Sequence, residues 1–407
     1  MREMKDSGVE WLGDIPKTWD IVQLGSLFSE HKHKNIGMQS NNLLSLSYGN
    51  IIRKDINTSD GLLPESFEGY NVIDDGDIVL RLTDLQNDQR SLRVGLSHES
   101  GIVTSAYVTL RRRNTAIDSK FYYYLLHSYD IRKGFYGMGA GVRQGLTYAG
   151  IRKIMLTLPT ADEQHRIVGF LEKKMTGIDT LMGNVQTQIE KLKFYKQSLI
   201  TEVVTKGLDQ NVPMKDSGVE WIGEIPEHWE LIRFRYIAEI TTGNQDTQNA
   251  NPEGEYPFYV RSPIVERCDT YTFDGEGILM AGDGAGAGRV FHLVNGKYAV
   301  HQRVYRFYDF KYVNPVLLKF YLENMFSKVM DYGSAKTTVP SVRLPMLKDF
   351  WVCVPPQSEQ KDMINMLSKK AAKIEKLIAI KQSKIEKLEQ YKRSLIYEYV
   401  TGKKEVL

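Results

Sequence analysis

Cysteine is nearly absent: Cys268 and Cys353 are the only two among 407 residues. Neither a disulfide framework nor a four-ligand zinc spacing can be built from them. Such sparse usage fits a reducing cytoplasm, with both thiols buried. Excess charge is also lacking, since 53 Lys and Arg oppose 50 Asp and Glu for a net charge of +3. That excludes a sequence-indifferent coat for nucleic acid but leaves room for local basic patches. No apolar run reaches the roughly 18 residues of a membrane span, and Met1-Arg-Glu-Met-Lys-Asp-Ser-Gly8 has no apolar signal-peptide core.

Catalytic signatures are missing too. There is no Walker A loop, G-x-G-x-x-G fingerprint, G-x-S-x-G elbow or H-E-x-x-H pair. The run Gly282-Asp-Gly-Ala-Gly-Ala-Gly-Arg289 spaces its glycines by two, which suits a tight loop between strands better than a phosphate cradle. Asn314-Pro315 is followed by Val and Leu, not by the aromatic of an adenine methyltransferase tetrapeptide. Glu172-Lys173-Lys174 echoes a nuclease E-x-K but lies in a helical pattern, where a solvated face explains it. His31 and His33 have no carboxylate partner in the sequence. The chain reads as non-catalytic.

What is present is repetition. Ile189-Glu-Lys-Leu-Lys-Phe-Tyr-Lys-Gln-Ser-Leu-Ile200 returns as Ile385-Glu-Lys-Leu-Glu-Gln-Tyr-Lys-Arg-Ser-Leu-Ile396, 196 positions later, with nine of twelve residues identical. Met4-Lys-Asp-Ser-Gly-Val-Glu-Trp-Leu-Gly-Asp-Ile-Pro-Lys-Thr-Trp19 returns at 214–229 with twelve of sixteen identical. The chain is therefore start segment, globular stretch, long helix, written twice. The expected divisions are 1–19, a first globular domain 20–157, a first helical region 158–206, a linker with the second start segment 207–229, a second globular domain 230–353, and a second helical region 354–407.

Both helical regions carry a heptad seam. Leu171, Ile178, Val185, Leu192 and Leu199 form the first; Leu367, Ile374, Leu388 and Leu395 form the second. Asp162 and Ser358 offer caps at their starts, each followed by Glu-Gln. At ~1.5 Å per residue, a helix of about 44 residues spans about 66 Å. A compact domain of ~120 residues, with a radius of gyration near 14 Å, does not bridge that distance. The helices are thus expected to run antiparallel within one chain, as an intramolecular coiled coil with an internal pseudo-twofold. Lys196 and Lys392 interrupt the two seams at equivalent places, either to set register or as snorkelling chain ends.

The globular stretches read as mixed α/β. Strands are expected at 76–82, 92–97, 102–110 and 154–158, with a helix at 118–132 and a polar glycine loop at 137–145. The second stretch repeats this with strands at 277–281, 289–294, 298–307 and 350–354, a helix at 314–331 and a loop at 333–345. Polar side chains cluster in the loops. Lys32, Lys34, Gln86, Asn87, Gln89, Arg90, Arg111, Arg143 and Gln144 are the first set of candidates; Gln245, Gln248, Asn249, Arg289, Gln302, Arg303, Lys336, Thr337 and Arg343 are the second. Arg, Asn and Gln make paired hydrogen bonds to base edges, and Lys and Thr suit phosphates. Two related readers on one frame suit two half-sites on duplex DNA. Charge alone does not point there, since residues 28–157 hold 16 Lys and Arg against 13 Asp and Glu, and 238–353 hold 12 against 13.

Ser-Gly-Val-Glu-Trp-Leu-Gly-Asp-Ile-Pro…Trp, its second copy, and Pro159…Glu163-Gln164 and Pro355-Pro356…Glu359-Gln360 leading into long helices resemble the specificity subunits of type I restriction–modification systems. The resemblance covers the whole chain in the family's order. It implies two target recognition domains that read a bipartite DNA site, with the helices setting an unspecified spacer. It also implies two methylation subunits that use S-adenosylmethionine to methylate adenine N6. Endonuclease/translocase subunits that use ATP and Mg would complete the complex. No cofactor or metal residue carries over to this chain, and no membrane is involved. The competing readings are a self-contained restriction or methylation enzyme, disfavoured by the missing motifs, and a tandem coiled-coil adaptor whose globular ends bind non-DNA ligands.

Overall fold

The computed structural model describes residues 2–57, 64, 66–86, 88, 92–138, 145–333 and 340–406. The chain divides into two compact units, Met1–Val185 with Lys384–Leu407, and Gln186–Ser383. Each unit therefore holds one globular part and a segment of both long helices, Ala161–Lys206 and Gln357–Val400.

The units share a plan. In the first, an antiparallel sheet runs Phe28–Glu30, Val108–Arg112, Ile78–Leu80, Val94–Leu96 in spatial order. In the second, the order is Glu239–Thr242, Val304–Tyr308, Gly277–Ala281, Phe291–Val294. One of the two central strands is wholly buried in each sheet, Ile78–Leu80 and Gly277–Ala281, as a strand covered on both faces must be. An aromatic helix packs near each sheet, Ser119–Ile131 and Pro315–Gly333, and Asp118 caps the first through the Lys120 and Phe121 amides. A two-stranded ribbon then leads into each long helix: Asp20–Gln23 with Met155–Leu158, and Glu230–Arg233 with Trp351–Val354. The second unit adds a sheet of Glu266–Cys268, Tyr256–Tyr259, Lys297–Val300 and Phe273–Asp274, which includes one parallel pair.

Two expected strands prove to be four. Residues 102–110 form Gly101–Val103 and Val108–Arg112, broken by a turn in which the Tyr107 amide donates to Thr104 O. Residues 298–307 form Lys297–Val300 and Val304–Tyr308, broken where the Val304 amide donates to His301 O. Each turn is a short break between buried strands, with only Ser105 and Ala106, or Gln302 and Arg303, exposed, and strand alternation also places polar residues between apolar ones, so each pair read as one run.

The doubled start segment has a structural explanation in each unit. Trp19 is fully buried and its Nε1 donates to Glu163 Oε2 at 3.1 Å, in the first turn of the first long helix. Trp229 is equally buried and donates to Glu359 Oε2 at 3.0 Å, in the first turn of the second. Each indole also meets the end of the opposite helix. A Cβ on Gly402 would lie 3.0 Å from Trp19 and 2.4 Å from Pro16, and one on Gly207 would lie 3.1 Å from Trp229. Both glycines have positive φ, +72° and +79°, as a glycine just past a helix end adopts. One tryptophan thus clamps the start of one helix to the finish of the other.

The neighbouring glutamines tie the same helix starts to the globular parts. Gln164 accepts from the Asp118 amide at 2.9 Å and donates to Pro159 O at 3.0 Å. Gln360 accepts from the Asn314 amide at 2.8 Å and donates to Tyr312 O and Pro355 O. The expected caps are corrected: Asp162 and Ser358 lie inside the helices, whose starts follow Thr160 and Pro356. Thr160 and Glu163 bond each other's amides, the reciprocal pattern of a capping box.

The helices are antiparallel within each unit. In the first, Phe170 packs on Tyr399 at 4.5 Å between centroids, and Lys392 Nζ meets Asp179 at 2.6 Å. In the second, Lys381 donates to Gln188 at 2.5 Å and Lys196 meets Glu375 at 2.5 Å. Lys196 with Glu375 and Lys392 with Asp179 are one contact written twice, so the lysines that break the seams cross between helices. Leu171, Ile178, Val185, Leu367, Ile374 and Leu395 are buried. Leu192, Leu199 and Leu388 are half-buried, while Ile200, Val204, Ile396 and Val400 outside the seam are buried. The apolar stripe widens at the helix ends because the globular parts cover a second face there.

Candidate nucleic-acid interface

Four loops of the second unit meet. The Gln302 amide donates to Gln245 O at 2.8 Å, the Gly282 amide to Arg303 O at 2.9 Å, and the Gly284 amide to Pro340 O at 3.0 Å. Asp283 and Ser341 form a further bridge. Sequence stretches around 245, 283, 302 and 342 are thereby brought to one place by main-chain bonds, which are specific in geometry.

At the junction stands Asp283, its side chain 14% exposed, between two guanidinium groups. Arg261 Nη1 donates to Oδ1 at 3.0 Å and Arg303 Nη1 to Oδ2 at 2.6 Å. Burial pushes this carboxyl up, but the bonds from Arg303 and Arg261 outweigh it and hold it below the usual carboxylate range. Burial, then the charge of Arg261, lowers the neighbouring His301 imidazole, whose Nδ1 accepts the Arg303 amide at 3.0 Å. A concavity of about 590 Å³ opens beside the cluster, lined by Val260, Arg261, Pro263, Asp283 and the glycine run. The larger concavity, about 870 Å³, mixes Asp274, Glu276 and Asp309 with Arg306 and Lys361 and so offers no net positive charge to phosphates.

The glycine run is the tight loop that its spacing suggested, and the reason is now visible. A Cβ on Gly282 would lie 2.8 Å from Arg303 O, and one on Gly286 would lie 2.5 Å from Arg261 O. Both arginine-bearing segments press against backbone that only glycine leaves open.

Of the candidates in this unit, Gln302 donates to Asp246 at 2.8 Å, and Asn249 accepts the Asp246 amide at 2.9 Å. Gln248, Arg289 and Arg343 are exposed, and Gln245 is half-buried. Lys336 and Thr337 lie outside the described residues. Sequence reasoning missed Arg261 and Asp283; the lone carboxylate inside the glycine run was the available signal.

In the first unit, the equivalent loop follows Ile78–Leu80 and carries exposed Gln86. It is held from beneath by Arg93, which is completely buried. Arg93 Nη1 donates to Thr83 O at 2.9 Å, and Nη2 reaches Asp84 O and Asp88 O. The Leu146 amide donates to Leu82 O at 2.9 Å, matching the Val342 amide on Gly282 O at 2.8 Å in the other unit. Lys32 pairs with Glu30 at 2.9 Å and Lys34 donates to Gly69 O at 2.8 Å. Arg111 is otherwise engaged: its Nε and Nη2 fork buried Asp77 at 2.9 and 2.6 Å, and Nη2 also meets Asp74. Those bonds raise the Arg111 pKa further, against burial. Asn87, Gln89, Arg90, Arg143 and Gln144 lie outside the described residues.

Comparison with known proteins joins these observations to a family. Residues 226–390 match the family model described as "Type I restriction modification DNA specificity domain". The MjaVIII specificity subunit of Methanocaldococcus jannaschii is 22% identical across 96% of this chain and 94% of its own length. The putative MjaX specificity subunit of the same organism is 23% identical across 97% and 96%. Along nearly its whole length the chain is similar to type I restriction–modification specificity subunits. The EcoDI specificity subunit of Escherichia coli matches a shorter part, 26% identical over 38% of this chain and 33% of its own. Among solved structures, a chain from a study of complex assembly and conformational transition of the type I R-M system has a TM-score of 0.71 at 16% identity. It covers 95% of this chain and 98% of that one. The fold is therefore the specificity-subunit fold: two β-rich parts joined by two long helices in contact. Such a subunit is the non-catalytic, DNA-specifying part of a type I restriction enzyme complex. Among the described residues no helix is long and apolar enough to cross a membrane.

Proposed function

We propose that this chain selects a bipartite duplex DNA site, each unit reading one half, and that the long helices set the unspecified gap between them. The observation that supports this best is the shared plan. Two units with one sheet order carry different side chains on equivalent loops, as expected where the scaffold is common and the target differs. The candidate contacts are those of the loops described above, with Arg261 added.

The catalytic partners are two methylation subunits that use S-adenosylmethionine to methylate adenine N6, together with endonuclease/translocase subunits that use ATP and Mg. Support for paired docking comes from exposed apolar side chains at equivalent helix positions. Leu181 and Leu377 are 39% and 40% exposed, and Tyr195 and Tyr391 are each 51% exposed. Tyr391 and Leu181 belong to the first unit, Tyr195 and Leu377 to the second. Each unit thus offers one leucine and one tyrosine, the kind of aromatic-bearing patch an interface buries.

The chain with its methylation subunit, incubated with a random-sequence duplex pool, should enrich a split motif with a fixed gap. Replacing residues 28–157 with those of another family member should change one half-site alone. Enrichment of a continuous motif, or of none, would refute the proposal.

A further inference from the structure

We infer that the second unit reads guanine through Arg261 and Arg303, with Asp283 as the positioning residue that holds both. The inference rests on the DNA-reading role proposed above and names the base that role selects.

Each guanidinium reaches Asp283 through Nη1. That leaves the Nε–Nη2 edge of each, two parallel N–H donors, and among the described residues no other carboxylate pairs with either group. An edge of that shape matches O6 and N7 of guanine in the major groove, which are both acceptors. Adenine presents an amino donor where guanine presents O6, so the same edge rejects it. The side chains of Arg261 and Arg303 remain 44% and 63% exposed, open to a ligand. Their shared carboxylate lowers the rotamer freedom lost on binding. It also reduces the local positive charge, which a phosphate-binding cluster would keep.

The glycine run serves the same end. Gly282 and Gly286 let the backbones of Arg303 and Arg261 close on the loop that carries Asp283. Ala285, the exposed residue at its turn, has too little side chain to hold a duplex away.

The test uses the full chain with its methylation subunit, on the random duplex pool, comparing Arg261→Ala, Arg303→Ala, Arg303→Lys and Asp283→Asn with the parent. The half-site of the second unit, identified by the 28–157 replacement, should contain guanine. Each alanine variant should lose about ten- to a hundredfold in preference for one guanine position, leaving the other half-site unchanged. Arg303→Lys keeps the charge but not the two-donor edge and should relax the same position. Asp283→Asn should broaden both positions while affinity for unrelated duplex is unchanged or tighter. Unchanged preference at the remaining positions of the second unit's own half-site reports that the variants are folded.

A parent motif without guanine in that half-site would overturn the inference. So would variants that lose affinity uniformly across sequences, the mark of phosphate contacts, or that leave the motif as it was. If the parent enriches no split motif, the DNA-reading role fails. If it does and the variants leave it unaltered, only the guanine assignment fails.

Discussion

Buried ionisable groups govern how this protein answers pH and reagents. Asp130 is 2% exposed and accepts the Arg93 amide at 2.5 Å. Burial pushes its carboxyl up to about 6, against the Arg93 bond and charge that pull it down. Its folded pKa thus lies above the unfolded value, so its stabilising contribution is full below about pH 4 and is lost as pH rises through about 6. His127 acts oppositely: burial, then Lys392 and Arg393, lowers its imidazole to about 4, which costs stability as pH falls below about 6.5. Asp130→Asn removes this titration and keeps an acceptor for the Arg93 amide. Denaturant unfolding near pH 5 and pH 8 should show the variant gaining about 1–3 kcal/mol on the parent as pH rises; a pH-independent difference would contradict the assignment. Cys353 is buried, which pushes its thiol up to about 12, and Cys268 is buried with Sγ donating to Thr270 O at 2.9 Å. Neither should alkylate in the native protein at neutral pH, and both should in urea, as mass spectrometry would report. Arg111 illustrates what residue type leaves undecided. It stands in an Arg-Arg-Arg run, yet its fork is filled by Asp77, just before the neighbouring strand Ile78–Leu80.

At the scale of elements, the repeated tryptophans connect motif to architecture. Their motif was readable as a repeat, but its task depends on Glu163 and Glu359, which lie 144 and 130 residues away. The two helix-ending glycines are not equally constrained. A methyl group on Gly402 would meet Pro16 at 2.4 Å, whereas one on Gly207 would meet only the Trp229 rim at 3.1 Å. Both carry the positive φ that an L side chain disfavours by about 1 kcal/mol. Gly402→Ala should therefore lower the melting temperature by several degrees more than Gly207→Ala. Equal shifts would show that the Pro16 contact relaxes freely. The turns within 102–110 and 298–307 expose two residues each, Ser105 with Ala106 and Gln302 with Arg303. So short a polar break between two buried strands reads as strand alternation, which also sets polar residues between apolar ones, and the chain reversal is missed.

For the whole molecule, duplication makes one polypeptide supply two versions of each contact. Lys196 with Glu375 and Lys392 with Asp179 are exposed ion pairs of small energetic weight, but as a repeated crossing they define how the helices mate. If the apolar faces receive methylation subunits, Tyr195→Glu with Leu377→Glu should reduce the number bound from two to one, measured as complex mass by light scattering. Two retained copies would remove those residues from the interface. If the helices set the gap, a four-residue insertion near Val185 should change its length and leave both half-sites alone. An altered half-site would contradict a spacer role.

The sequence by itself determined the duplication, the long helices with their heptad seams, the central strands and aromatic helix of each copy, and the family resemblance. These are local or periodic properties, written in neighbouring residues or in a second copy of them. Tertiary structure alone decided which polar side chains share a site. Arg261 and Arg303 lie 22 and 20 residues from the aspartate they share, and what brings them together is strand pairing and the missing Cβ atoms of two glycines. Side-chain identity names what a residue can donate or accept. Its partner is settled by the fold, because a hydrogen bond forms only between groups the backbone has already brought within about 3 Å.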